Sequence, residues 1–125
     1  MRKQIVYLAG GFKPDWHEKV EMLTNIECVN PKTKEMKKEV QPSEYGCWDL
    51  HFIKQCDILF CYVEKTNPSG VGLACEIGYA KAIGKTVVLV LETAHEQYRY
   101  FRFLESVSDV VYDNLDDAIR FLKSF

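Results

Sequence analysis

Residues 58–91 read ILFCYVEKTNPSGVGLACEIGYAKAIGKTVVLVL, and the order of residue types in this stretch decides the fold. The apolar runs Ile58 to Val63 and Thr86 to Leu91 are nearly continuous, the pattern of parallel strands covered on both faces. Between them Glu64 to Ser69, with Asn67 and Pro68, reads as a loop, and the run GVGLACEIGYA from Gly70 to Ala80 reads as a helix stopped at Gly84. The order is strand, loop, helix, strand. Glu76 is the only charged residue between Lys65 and Lys81. Burying an ionised carboxylate unpaired costs several kcal/mol, so Glu76 must be paired, neutralised or used. It falls in the opening turns of a helix near the carboxyl end of a strand, where ionised carboxylates are favoured and open α/β sheets bind ligands. Glu76 is thus the first candidate for chemistry; pairing with a backbone or lysine partner is its structural alternative.

The alternation extends outward in both directions. Ile5 to Ala9 is a short apolar strand closed by Gly10 and Gly11. Asp15 and Glu18 have capping-box spacing, which starts a helix near Trp16, and Ile26 to Val29 reads as a second strand ended by Asn30 and Pro31. Lys32 to Gln41, with four lysines against two glutamates, reads as a solvated loop, and Ser43 can cap a helix over about Glu44 to Gln55. Beyond residue 91, Glu96 to Leu104 predicts a helix, Asp109 to Tyr112 a short strand, and Leu115 to Phe125 a terminal helix capped by Asn114. Strands alternating with helices imply a single-domain, Rossmann/flavodoxin-like, doubly wound α/β fold. About five parallel strands are expected, with the site at the switch between the first and third.

At 125 residues and 47% apolar composition the chain suits one compact domain. A net charge of -2 gives no basic footprint, which argues against a nucleic-acid polymer or an anionic membrane as partner and for a small molecule. Cys28, Cys47, Cys56, Cys61 and Cys75 are odd in number and lack CxxC spacing, so reduced, mostly buried thiols in a cytoplasmic protein are expected. No run approaches membrane-spanning length. An exposed apolar face on so small a domain predicts a homo-oligomer.

Several motifs dissolve on inspection. Gly84, Lys85 and Thr86 spell GKT, but the first glycine of a phosphate loop would fall on Tyr79, and the triplet ends a helix instead of opening one. Cys75 breaks GxGxxG after Gly70 and Gly72, as Phe12 and Asp15 break it after Gly10. His17, His51 and His95 share no ligand spacing, so no metal is expected, and no GxSxG elbow is present. Carboxylates remain. Asp49, between Trp48 and Leu50, lies on the helix that feeds the third strand and reads either as a partner for Glu76 or as a solvated helix residue. Two converging carboxylates can break a glycosidic bond, one as nucleophile and one as acid. Tyr7, Phe12, Trp16 and Trp48 border the first glycine loop and read as base-stacking or as packing residues; Lys13 reads as an anion contact or a plain surface lysine.

The segments IVYLAGGF (5–12), WDLHFIKQCDILFCYVE (48–64) and NPSGVGLACEIGYAKAIGKTVVLV (67–90) together resemble the nucleoside 2-deoxyribosyltransferase-like family, over about residues 4 to 91. The resemblance implies a Rossmann-like fold and cleavage of the N-glycosidic bond of deoxynucleosides through a covalent glycosyl-glutamate. The sugar then passes to another free nucleobase, or to water in related nucleotide hydrolases. Matched residue by residue, Glu76 is the implied nucleophile, Asp49 the aspartate assisting at the base and Tyr7 the tyrosine that positions the glutamate. Gly10 and Gly11 match the loop near the sugar and its 5′ group, where Phe12, Lys13, Trp16 and Trp48 are further candidate contacts. Many transferases carry a sugar-binding aspartate six residues before the nucleophile. Here that place is Gly70, so Asn67 and Ser69, with Gly70 and Gly72 in the same turn, are the candidates to replace it. No counterpart is found for the C-terminal asparagine that some members lend to a neighbouring subunit. No cofactor is implied. A hydrolase of deoxynucleoside monophosphates and a non-catalytic nucleotide sensor are the alternatives to transfer.

Overall fold

The computed structural model describes residues 2–11, 15–32, 39–67 and 70–125. The chain runs β1 (Gln4–Gly10), α1 (Trp16–Glu21), β2 (Ile26–Val29), α2 (Pro42–Gln55), β3 (Ile58–Val63), α3 (Val71–Ala82), β4 (Thr86–Leu91), α4 (Tyr98–Glu105), β5 (Val110–Tyr112) and α5 (Leu115–Leu122). All neighbouring strands are parallel, in the order β2-β1-β3-β4-β5, with Tyr7 opposite Leu59 and Gly10 opposite Tyr62. This is the doubly wound α/β fold that the alternation predicts.

Successive residues of a strand point to opposite faces, so a strand apolar at every position must be covered on both sides. On one face Tyr7, Ala9, Leu59, Cys61, Leu89 and Leu91 pack under α2, α3 and α4 through Ile53, Leu73, Ile77 and Leu104. On the other, Val6, Leu8, Phe60, Val88 and Val90 pack under α1 and α5 through Trp16, Val20, Ala118 and Leu122. Away from the carboxyl end of the sheet, Asp57 ties two strands together. Its carboxylate takes Arg2 in a bidentate pair at 2.7 and 2.8 Å and accepts the Ile5 N–H at 2.8 Å. Arg2 and that amide hold the Asp57 carboxyl down at about 2.

Most boundaries fall where the sequence puts them, and the exceptions have local causes. Helix α2 starts at Pro42, not Glu44. Proline suits a first helical position, and Glu44 reaches back to the Gln41 N–H at 3.3 Å, so the cap is Gln41 and not Ser43. Asp15 stands at the start of α1 without a side-chain capping bond. Asn114 caps α5 as expected, accepting the Asp117 N–H at 2.8 Å, but α5 ends at Leu122. Helix α4 begins at Tyr98 because residues 95–97 form a turn, with the Gln97 N–H donating to His95 Nδ1. All five cysteines are free; Cys56 and Cys61 are buried, whereas Cys47 and Cys75 are exposed, against the expectation for these two. Most of the lysine-rich loop, residues 33–38, lies outside the described residues. Among the described residues no helix is long and apolar enough to cross a membrane.

Candidate active site

The carboxyl ends of β1 and β3 open under the start of α3, as expected at the switch point of a sheet that winds both ways from β1 and β3. A cavity of about 370 Å³ lies there, within the range of small-molecule sites. Gly10, Gly11, Asp49, Asn67, Gly70, Gly72 and Glu76 all line it, so the structure brings together seven of the residues singled out from the sequence.

Tyr7 lies beneath, wholly buried on β1 and facing the α2 and α3 side of the sheet. Glu76 is in the second turn of α3 and partly buried. Burial first, then the nearby Asp49 charge, pushes its carboxyl up to about 7, while the Tyr7 hydroxyl acts in the opposite direction. Burial and both carboxylates drive the Tyr7 phenol far above its ordinary value, so it keeps its proton and can only donate to an anion. The hydroxyl is close enough to couple to Glu76 and Asp49, yet it closes no hydrogen bond of full geometry among the described residues. Asp49, in the middle of α2, is partly buried and in electrostatic contact with both groups.

The turn after β1 is glycine by necessity. Gly10 has φ +149°, and a Cβ there would lie 2.6 Å from the Tyr62 carbonyl oxygen. The Trp16 indole N–H donates to the Gly11 carbonyl at 2.9 Å, which pins this turn from the far side of the sheet. Trp16 itself packs against Phe60 and Tyr62 in the opposite core and does not line the cavity. The sequence places it correctly next to the loop, but a residue following β1 by a tight turn enters the other face. Trp48 is partly buried on α2 and also lies outside the lining. Phe12, Lys13 and Ser69 lie outside the described residues.

The structure adds Tyr45, Gly46, Leu50 and Cys75 to the lining. Tyr45 precedes Asp49 by one helical turn, so the i, i+4 rule applied to Asp49 finds it. Gly70 is closely packed: a Cβ there would sit 2.5 Å from Phe101 Cε1, a ring on α4. Among the described residues no group of three or more His, Cys, Asp and Glu side chains is placed to hold a metal ion.

Two carboxylates, one with its proton affinity lifted to near neutrality, over a permanent hydroxyl donor can attack an electrophilic carbon and move a proton at the same centre. Comparison with known proteins finds relatives in fold and in sequence. Among solved structures, the Clostridium botulinum CMP N-glycosidase BcmB aligns with a TM-score of 0.63 and 26% identity, covering 97% of this chain and 98% of that one. The solution structure of BlsM aligns with a TM-score of 0.64 and 24% identity over 98% of this chain and 86% of that one, a likeness of fold. No curated protein matches significantly. Residues 3–94 match the sequence profile of the family described as nucleoside 2-deoxyribosyltransferase like, a stretch that holds Tyr7, Asp49 and Glu76, and the chain belongs to that family.

Proposed function

We propose that the protein cleaves the N-glycosidic bond of a nucleoside or nucleotide, with Glu76 as nucleophile, and passes the sugar to a second base. The Glu76 carboxylate attacks C1′ through an oxocarbenium-like transition state, the bond to the base breaks, and Asp49 delivers a proton to the leaving base. The acceptor base then displaces Glu76 from C1′ and returns its proton to Asp49, giving overall retention. The observation that carries this reading is the shared cavity of Glu76 and Asp49, with the Glu76 carboxyl lifted to about 7. Interacting carboxylates hold one proton between them near neutral pH, and the reaction needs that proton on Asp49. The nearby Tyr7 hydroxyl favours the charged form of Glu76, the distribution the attack requires.

Hydrolysis is the second reading, with water in place of the acceptor base. It is favoured by the full-length likeness to a CMP N-glycosidase. A panel of deoxynucleosides and ribonucleosides, each with and without 5′ phosphate and with and without free adenine, followed by chromatography of the bases, separates the two. New nucleoside only with added base supports transfer; free base without an acceptor supports hydrolysis. Glu76→Gln should abolish either product while leaving the fold intact, and unchanged turnover in that variant sinks the proposal.

A further inference from the structure

Asn67 and Gly70, before α3, are held from behind by residues the chemistry above does not use. Asn67 lines the cavity and is nearly buried. Its main-chain N–H donates to the Glu64 carbonyl at 3.0 Å, and its side-chain Nδ2 lies 3.5 Å from where a Cβ on Gly11 would stand. From the β4–α4 connection, His95 Nε2 reaches the Asn67 carbonyl oxygen at 2.8 Å. His95 Nδ1 accepts the Gln97 N–H at 2.9 Å. A ring nitrogen that accepts carries no hydrogen, so the neutral ring has its hydrogen on Nε2 and donates it to Asn67. His95 is itself buried, and its ring meets Phe101 edge-on at 5.0 Å. Phe101 fills the space beside Gly70. The same pair of rings therefore bears on both Asn67 and Gly70, the two described ends of the segment between β3 and α3 that line the cavity.

Asn67 held this way presents its side-chain amide at a fixed place opposite the Gly10–Gly11 turn. The amide is neutral and carries donor hydrogens and an acceptor oxygen with two lone pairs, a set that suits a sugar hydroxyl beside its other contacts. We propose that His95 is a positioning residue: by donating Nε2–H to the Asn67 main chain it fixes the Asn67 amide in the cavity, where that amide binds a hydroxyl of the ligand's sugar. The proposal rests on the N-glycosidic reading for the nature of the ligand.

The test compares His95→Gln with His95→Asn. Gln places its amide N–H near the Nε2 position and keeps the bond to Asn67, whereas Asn preserves only an acceptor for Gln97. With melting temperatures of the two matched, His95→Gln should keep a KM within about twofold of the wild type, and His95→Asn should raise KM roughly tenfold with kcat little changed, as loss of one bond in a uniform binding contact predicts. In an Asn67→Ala background the same exchange should change KM by less than about twofold, since the amide it positions is gone. Nitrogen NMR of the wild type should show His95 as the Nε2–H tautomer. Equal KM values for the Gln and Asn variants, full additivity with Asn67→Ala, or a hydrogen on Nδ1 overturns the proposal. Calorimetric binding of the same nucleosides keeps this separate from the reaction. Coupled His95 and Asn67 effects on binding with no base released sink the chemistry and support the positioning role. Base release with independent effects does the reverse, and absence of any nucleoside binding sinks both.

Discussion

Tyr7 on β1 and Glu76 on α3 oppose each other's ordinary titration: the carboxylate raises the phenol, and the phenol lowers the carboxylate. The phenol has no solvent to turn to, since Tyr7 is fully buried on a strand paired on both edges. Its proton is therefore a fixed feature of the site, and the proton that moves belongs to the carboxylates.

The Glu76 carboxyl should titrate near pH 7 in the free protein, and kcat/KM should fall as pH rises through that value, because above it the two carboxylates no longer hold the proton that the leaving base takes. Asp49→Asn removes a charge that raises it and should move the midpoint down; Tyr7→Phe removes the donor that lowers it and should move the midpoint up. Carbon NMR of the Glu76 carboxyl reads all three proteins. A wild-type midpoint near the ordinary 4.5 counts against this electrostatic account.

Glu76 should also be a burden on the fold at high pH. Its native value of about 7 lies above the unfolded 4.5, so stability is full below about pH 4.5, falls as pH rises, and levels off above about 7. At 1.36 kcal/mol for each tenfold change in proton affinity, the ionised group costs the native state on the order of 3 kcal/mol. Glu76→Gln should accordingly stabilise the protein in urea unfolding at pH 8 and leave it nearly unchanged near pH 4.5. Equal effects at the two pH values would contradict the assignment.

The Asp57 clip should dominate acid sensitivity at the other end of the sheet. Its value is depressed from 3.8 to about 2, so its contribution is present above about pH 4 and is lost as pH falls towards 2. Asp57→Ala also strands the Ile5 N–H and should cost about 1–3 kcal/mol, against less than about 1 kcal/mol for Arg2→Ala, whose side chain is exposed. Chemical denaturation of both variants at pH 7 tests the ranking.

Gly10→Ala should damage the site more than the alanine's size suggests. It combines a φ of +149° with a contact of 2.6 Å to a β3 backbone oxygen, and neither can relax without moving the sheet. A cost of about 1–3 kcal/mol in stability is expected from the backbone conformation alone, together with loss of ligand binding at the displaced Gly11 turn. Thermal unfolding and calorimetric titration would show whether both effects occur.

The sheet, its order and the place of Glu76 are legible in the sequence because they follow from local pattern. A strand apolar at every position, a glycine turn and a lone carboxylate in an apolar helix each carry their meaning within a dozen residues. The same holds for the Asn114 cap. What escapes is set by contacts between distant segments. His95 reaches Asn67 across 28 positions, and a histidine without ligand spacing gives no sign of a role in holding a loop. For Trp16 the sequence leaves base-stacking and packing both open, because its neighbours in sequence are at the cavity while its ring enters the other core. The cap of α2 shifts from Ser43 to Gln41 because Pro42 is tolerated inside the first turn.

The Phe101 ring beside Gly70 also constrains how this chain can change. A carboxylate at position 70 would require the Phe101 ring to shift, and overpacking of this kind costs about 1–3 kcal/mol, a large share of a small domain's margin. An aspartate at 70 needs the ring at 101 to move or to be smaller, and either change would loosen its contact with His95. Positions 70 and 101 are therefore coupled through one ring, and changes at one should be accompanied by changes at the other.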